Sequence, residues 1–188
     1  MSVNIFVPKK QNLIYEKKIH SKIKKIIHQG NYILGSEVKK LEKKFIKYFK
    51  TKKAIGVKNG TDAIILSLKA LNITKGDEVI TTSHTALATI ASIISVGATP
   101  VIADIEDNLY TINPIEIKKK ISKKTKAIIP VHIYGQSCAI KSIIKIAKKK
   151  KIYVIEDCSQ SIGAEYNKKK LGTFGDIGTF SFYPTKNL

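Results

Sequence analysis

From Lys53 onward, short runs of β-branched residues alternate with stretches of helical periodicity, and this alternation restricts the fold more than any other feature. The spacing predicts strands over Ala54–Val57, Glu78–Thr82, Thr99–Ala103, Ala127–Ile133, Ile152–Glu156 and Ile177–Phe182. Between them it predicts helices over about Thr61–Asn72, Thr85–Val96, Pro114–Ser122 and Ile140–Lys150. Strands joined by helices of this length can lie parallel, because each helix supplies the crossover that a parallel pair needs. The expected fold is therefore α/β, three layers deep, with a mostly parallel sheet covered on both faces. Residues 163–171 read as a short hairpin turning at Asn167-Lys168. Two further helices precede the alternation, Leu13–Gln29 and a second from a capping Ser36 to about Phe49. The expected division is an N-terminal helical segment, 1–50, followed by the α/β region, 51–188.

Charge narrows the function classes. The 188 residues carry a formal net charge of +20, and every one of the 34 basic residues is lysine. Specific readers of nucleic acid rely on arginine for two-pronged contacts to bases and phosphates. The lysines instead form runs on helical segments, such as Lys148 to Lys151, which reads as solvated helix surface. No specific nucleic-acid partner is expected, only weak attraction to polyanions. The two cysteines, Cys138 and Cys158, form no CxxC pair and sit in apolar contexts, so buried thiols are expected. The four histidines lack metal-ligand spacing, and no metal is expected. No apolar run is long enough to cross a bilayer, and the N-terminus lacks the order of a signal peptide. A cytoplasmic chain without a membrane partner is the expectation.

In open α/β sheets, ligands bind beyond the carboxyl ends of the strands. Asn59-Gly60-Thr61-Asp62 follows the first predicted strand and opens a helix. Gly60 admits close backbone approach, and the Thr61 hydroxyl with free helix N–H groups suits a phosphate. An ordinary Asn-Gly turn with a threonine cap fits the same residues. Asp157 ends the apolar run from Ile152, with Gln160 three residues on. A carboxylate there can hold a ring nitrogen protonated, and Gln160 can bond a ring hydroxyl. A helix cap at Asp157 fits equally. His84 and His132 each follow a strand and suit either a pocket wall or a structural role. Lys186 stands alone after Pro184, unlike the lysines in runs. It reads either as a turn lysine in water or as an amine that loses solvent, lowers its pKa and acts as a nucleophile. A phosphate cradle, a carboxylate, the Ser181 hydroxyl and an isolated lysine together form the inventory of a pyridoxal phosphate site.

The ordered set of motifs resembles the DegT/DnrJ/StrS-type sugar aminotransferases, fold-type I enzymes that depend on pyridoxal phosphate. The matching stretches include Gly30-Asn31-Tyr32-Ile33-Leu34-Gly35, Asn59-Gly60-Thr61-Asp62-Ala63, Gly97-Ala98-Thr99-Pro100-Val101, Val131-His132-Ile133-Tyr134-Gly135-Gln136, Ile155-Glu156-Asp157 and Phe180-Ser181-Phe182-Tyr183-Pro184-Thr185-Lys186. The resemblance implies that Lys186 is the catalytic lysine that carries the cofactor. It implies that Asp157 pairs with the pyridine nitrogen, that Gln160 sits near the ring hydroxyl, and that Gly60, Thr61 and Ser181 bind the phosphate. The implied substrates are an amino acid, glutamate, as donor and a nucleotide-linked keto-sugar as acceptor, for amino-sugar and polysaccharide synthesis by a homodimer. Relatives that work as dehydratases on pyridoxamine phosphate replace the lysine with histidine, and Lys186 argues against that branch. Two departures stand out. Ala86 replaces an aromatic residue that stacks on the ring in many relatives. The sequence also ends at Leu188, where family members continue through the rest of the large domain and a smaller C-terminal domain. Residues 51–188 are thus expected to be an incomplete cofactor-binding large domain with apolar surface exposed. The alternative is a truncated, catalytically inactive or regulatory member of the same family.

Overall fold

The computed structural model describes residues 8–186, with side chains from residue 12 onward. Two compact units meet at Gly56/Val57. The first holds α1 (Pro8–Gln29) and α2 (Ser36–Phe49). In α2, Phe45 and Phe49 stand four residues apart on one face, with ring centroids 4.9 Å apart. Gly35, not Ser36, is its N-cap, and no side chain bonds the first turn. The expected strand Ala54–Val57 does not form. The Gly56 N–H donates to Glu42 Oε1 at 2.8 Å rather than to a sheet ladder, and Ile55 is 77% exposed. An apolar run of four residues is a weak strand signal when nothing covers either face.

The second unit contains α3 (Gly60–Ala70), β1 (Glu78–Thr82), α4 (Leu87–Ser95), β2 (Thr99–Ala103), α5 (Pro114–Lys120), β3 (Thr125–Ile128), a single 3₁₀ turn over Ile133–Gly135, α6 (Ile140–Lys150), β4 (Tyr153–Asp157), the hairpin β5 (Glu165–Tyr166) and β6 (Lys169–Lys170), and β7 (Ile177–Thr179). Five strands form one sheet in the order β2-β1-β3-β4-β7, and every neighbouring pair is parallel. The chain leaves β1 toward β2 and returns to place β3 on the other side of β1. The strand order therefore reverses between β1 and β3, the place where such sheets open a crevice.

Adjacent strand residues point to opposite faces, and both faces are apolar. Ile80, Ile128 and Val154 pack with Ile117 of α5 and Ile140, Ile143 and Ile146 of α6. Val79, Ala127 and Ile155 pack with Ile64 and Leu68 of α3 and Ile93 of α4. That gives the three layers the sequence predicts. Two strands are shorter than expected. β3 stops at Ile128 because Pro130 cannot donate to the ladder, although an isolated parallel bridge joins Val131 to Asp157. β7 stops at Thr179, whose carbonyl accepts from the Cys158 N–H at 2.8 Å, and residues 180–182 lie in no strand. The hairpin turns where expected, with Asn167 and Lys168 both at positive φ, the geometry that joins two short antiparallel strands tightly.

Candidate active site

The carboxyl edge of the sheet gathers most of the residues singled out in the sequence. At the start of α3, Asn59 is extended and its Oδ1 accepts the Asp62 N–H at 2.7 Å. Asn59, rather than Thr61, is thus the cap, and Thr61 is the second residue of the helix. Asp62 and Ala63 donate to Asn59, whereas the N–H groups of Gly60 and Thr61 have no partner among the described residues. Two unpaired donors at the positive end of a helix form an anion-binding position. Gly60 lets the helix start pack closely against two other segments. A Cβ at residue 60 would lie 3.0 Å from Ser181 Cβ, 3.3 Å from Ser181 Oγ and 3.4 Å from Ser159 Oγ. Two hydroxyls from separate segments therefore converge on the first turn of α3. Ser159 was not singled out in the sequence, because the residue it faces is a glycine with no side chain to suggest a partner.

Strand β4 delivers two neighbouring carboxylates. Asp157 is buried at the strand's last position. Its Oδ1 accepts the Ser159 N–H at 3.0 Å, and its Oδ2 accepts the Thr89 hydroxyl at 3.3 Å. No helix follows it, so the cap alternative falls; the short Asp157–Ser159 bond is a turn contact. Glu156 is completely buried and accepts four bonds: His132 Nε2 at 3.1 Å and the N–H groups of Gly172, Phe174 and Gly175 at 2.9, 2.7 and 2.7 Å. Burial would raise its pKa. The bonds from His132, Gly175 and Gly172 outweigh that and hold the carboxyl below its ordinary value.

The two histidines part ways. His132 is fully buried, and its Nδ1 accepts the Cys138 N–H at 3.1 Å. The other nitrogen, Nε2, must then carry the proton it donates to Glu156. His132 is a structural bridge. Together with Cys158 it lies within 4.8 Å of Glu156 in ligand-atom distance, but the four donors already engage both carboxylate oxygens. Burial pushes the Cys138 thiol up to about 12 and the Cys158 thiol well above its ordinary value. His84 is only half-buried, and its Nε2 lies 3.1 Å from the Tyr134 hydroxyl. His84 follows β1 and Tyr134 follows β3, so this pair spans the point where strand order reverses. Tyr134 holds a left-handed backbone, φ 55°, costly for a side chain of its size. Its N–H donates to Gln160 Oε1 at 3.0 Å, which helps to fix that conformation.

Tyr134, Gln160, Thr185 and Lys186 line a cavity of about 430 Å³. Lys186 sits in a turn closed by its own N–H to the Tyr183 carbonyl at 2.8 Å. It is half-buried and seven residues beyond the end of β7, so it is neither a strand-end lysine out of solvent nor a turn lysine fully in water, the two readings its sequence allowed. Gln160 and Lys186 thus share one cavity, Gly60 and Ser181 meet at α3, and Asp157 is anchored between Thr89 and Ser159. Ala86 is exposed and takes the N-cap position of α4.

A parallel α/β sheet with a helix N-terminus, a buried carboxylate and a cavity lysine at its carboxyl edge has the layout of an α/β protein that binds a ligand beyond its strand ends. The model of the DegT/DnrJ/EryC1/StrS aminotransferase family matches residues 14–188, and the chain belongs to that family. It is 49% identical over 171 residues to a dTDP-3-amino-3,6-dideoxy-alpha-D-galactopyranose transaminase of Aneurinibacillus thermoaerophilus, across 91% of this chain and 47% of that protein. The crystal structure of S. venezuelae DesV in complex with ketimine intermediate superposes with a TM-score of 0.96 at 34% identity, covering 99% of this chain and 50% of that one. The structure of NtdA from Bacillus subtilis with bound cofactor PMP gives 0.87 at 34% identity, covering 92% and 39%. The chain spans about half the length of the curated relatives it matches. Among the described residues, no helix is long and apolar enough to cross a membrane.

Proposed function

We propose that this chain carries the cofactor site of a pyridoxal phosphate-dependent aminotransferase that moves an amino group from an amino acid, glutamate, to a nucleotide-linked keto-sugar. The observation that carries the reading is the arrangement at α3: two N–H groups unpaired among the described residues, and a glycine packed closely against Ser181 and Ser159. These residues fit a phosphate ester. The buried Asp157, with acceptor capacity left over after its two bonds, fits a protonated ring nitrogen.

In this reading Gly60, Thr61 and Ser181 hold the phosphate, Asp157 holds the ring nitrogen, Gln160 orients the ring hydroxyl and Lys186 is the covalent attachment point. When bound, the cofactor supplies an electron sink for the negative charge that develops on the substrate carbon. Asp157 keeps that sink effective by holding the proton on the ring nitrogen in a dry setting, where the interaction is worth more than in water. Thr89 and the Ser159 N–H fix the carboxylate in place beforehand, so no reorganisation is needed during reaction. Lys186 Nζ would both hold the cofactor and, when free, take the proton from the substrate carbon and return it. Half-exposure in a cavity wall suits a group that must both bond covalently and swing free. The reading includes a cytoplasmic homodimer, which rests on the family resemblance alone.

The test is a two-stage assay with pyridoxal phosphate. Glutamate should yield 2-oxoglutarate in the first stage, and a set of keto-sugar nucleotides should then take up the amine in the second. Lys186→Ala should abolish both stages. A Lys186→Ala chain that turns over as fast as the unaltered one would overturn the assignment.

A further inference from the structure

Tyr134 is strained without being packed. Its backbone is left-handed, φ 55° and ψ 19°, yet the residue is 73% exposed, so no core contact forces that conformation. A strained backbone of this kind persists only where its surroundings fix it at several points. Hydrogen bonds at both ends of the residue do so here. The hydroxyl lies 3.1 Å from His84 Nε2, and His84 is itself tied to β1 by its N–H, which donates to Thr82 Oγ1 at 3.2 Å. The Tyr134 N–H donates to Gln160 Oε1 at 3.0 Å, in the turn after β4. One residue thus ties the segments after β1, β3 and β4 together at the cavity that Gln160 and Lys186 also line. The bond to Gln160 decides which end of its carboxamide is left over. A backbone N–H can only donate, so it takes the oxygen. The amide nitrogen Nε2 remains, with no partner among the described residues.

We infer that Tyr134 is a positioning residue: its strained backbone N–H locks the Gln160 carboxamide so that the amide donor, and not the acceptor, meets the oxygen on the cofactor ring. This rests on the functional reading above and says how the same site treats one atom of its ligand. An unrestrained glutamine could meet a ring hydroxyl with either end, because a hydroxyl both donates and accepts. A locked one offers only N–H groups. That favours the ring oxygen without its proton, since a hydrogen bond to an anionic oxygen is the stronger kind. The strain at Tyr134 then serves the site, because the amide is oriented before any ligand arrives.

The experiment titrates the purified chain, by absorbance, with pyridoxal phosphate and with its 3-deoxy analogue, which lacks the ring oxygen. Gln160→Ala, Tyr134→Val, Tyr134→Gly and the double variant Gln160→Ala/Tyr134→Val are compared with the unaltered chain. Glycine keeps the N–H and enters the left-handed region freely, whereas valine keeps the N–H but resists that region. Gln160→Ala and Tyr134→Val should each weaken pyridoxal phosphate about tenfold, the worth of one hydrogen bond to a charged acceptor. Neither should change affinity for the analogue, and Tyr134→Gly should keep most of the affinity for pyridoxal phosphate. The double variant should lose no more than either single one, because both remove the same bond. In the chain without ligand, hydrogen exchange at the Tyr134 N–H should quicken in Gln160→Ala. Equal weakening of both compounds would make the pair a general support of the fold and overturn the inference. So would losses that add in full in the double variant, a loss in Tyr134→Gly as large as in Tyr134→Val, or exchange that Gln160→Ala leaves unchanged. If the unaltered chain takes up neither compound, the functional reading itself fails and the role of Tyr134 falls with it.

Discussion

Glu156 and Asp157 are neighbours on one strand, and both are buried, yet they face different neighbourhoods. Glu156 accepts four bonds from two parts of the chain: the segment after β3 through His132 and the approach to β7 through Gly172, Phe174 and Gly175. Asp157 accepts two, one of them long at 3.3 Å. A carboxylate has about four acceptor positions. Glu156 is saturated by its own protein and Asp157 is not. Chemical identity and burial are nearly the same, so the difference lies in spare capacity. A saturated buried carboxylate builds the scaffold, and an unsaturated one at a ligand-facing edge is available to a ligand.

The largest expected effect follows from that contrast. Glu156→Ala leaves three backbone N–H groups and His132 without their acceptor and should cost about 3–5 kcal/mol in urea unfolding. Asp157→Asn keeps the shape and should alter stability by only about 1 kcal/mol, while slowing pyridoxal phosphate-dependent transfer about a hundredfold. Equal stability losses in the two variants would break the comparison. Gly60→Ala should come next: the added methyl, 3.0 Å from Ser181 Cβ, must push the serine aside. The overpacking should cost about 1–3 kcal/mol of stability, read as a lower melting temperature, and should weaken pyridoxal phosphate in a titration.

Acid should test the Glu156 side of the comparison more gently. The Glu156 carboxyl titrates below its ordinary value in the folded chain. As pH falls, the unfolded chain takes up that proton first. The stabilisation is therefore complete above the ordinary carboxylate range and drains away as pH falls through the depressed folded value. Melting temperature against pH should drop on the acid side, and Glu156→Gln should flatten that drop. The smallest effect concerns the thiols. With both pushed up by burial, Cys138 to about 12, neither should react with a thiol reagent at pH 8 until the chain is unfolded.

Much of the fold was legible because its signals are local. The bounds of α2, β1, β2 and α6 coincide with the sequence periodicity, and Asn167-Lys168 marks the hairpin. Residues 54–57 misled because apolar content alone does not reveal whether a neighbouring strand exists. Pro130 was a visible warning that β3 would stop early. In the site, Gly60, Asp157 and Lys186 could be singled out since each departs from its surroundings in sequence. The parts that were not legible depend on distant partners. Glu156 finds its donors 16 to 24 residues away, and nothing local separates His132 from His84. Ser159 is defined by a glycine in another segment.

The most direct test of the account is covalent. Purified chain is mixed with pyridoxal phosphate, reduced with borohydride and digested, and the modified lysine is located by mass spectrometry. With 34 lysines in the chain, a single dominant site is a demanding outcome. The account predicts a visible absorbance band, label concentrated on Lys186, and loss of both in Lys186→Ala. Label spread evenly over the surface lysines, with the same spectrum in the variant, would contradict it.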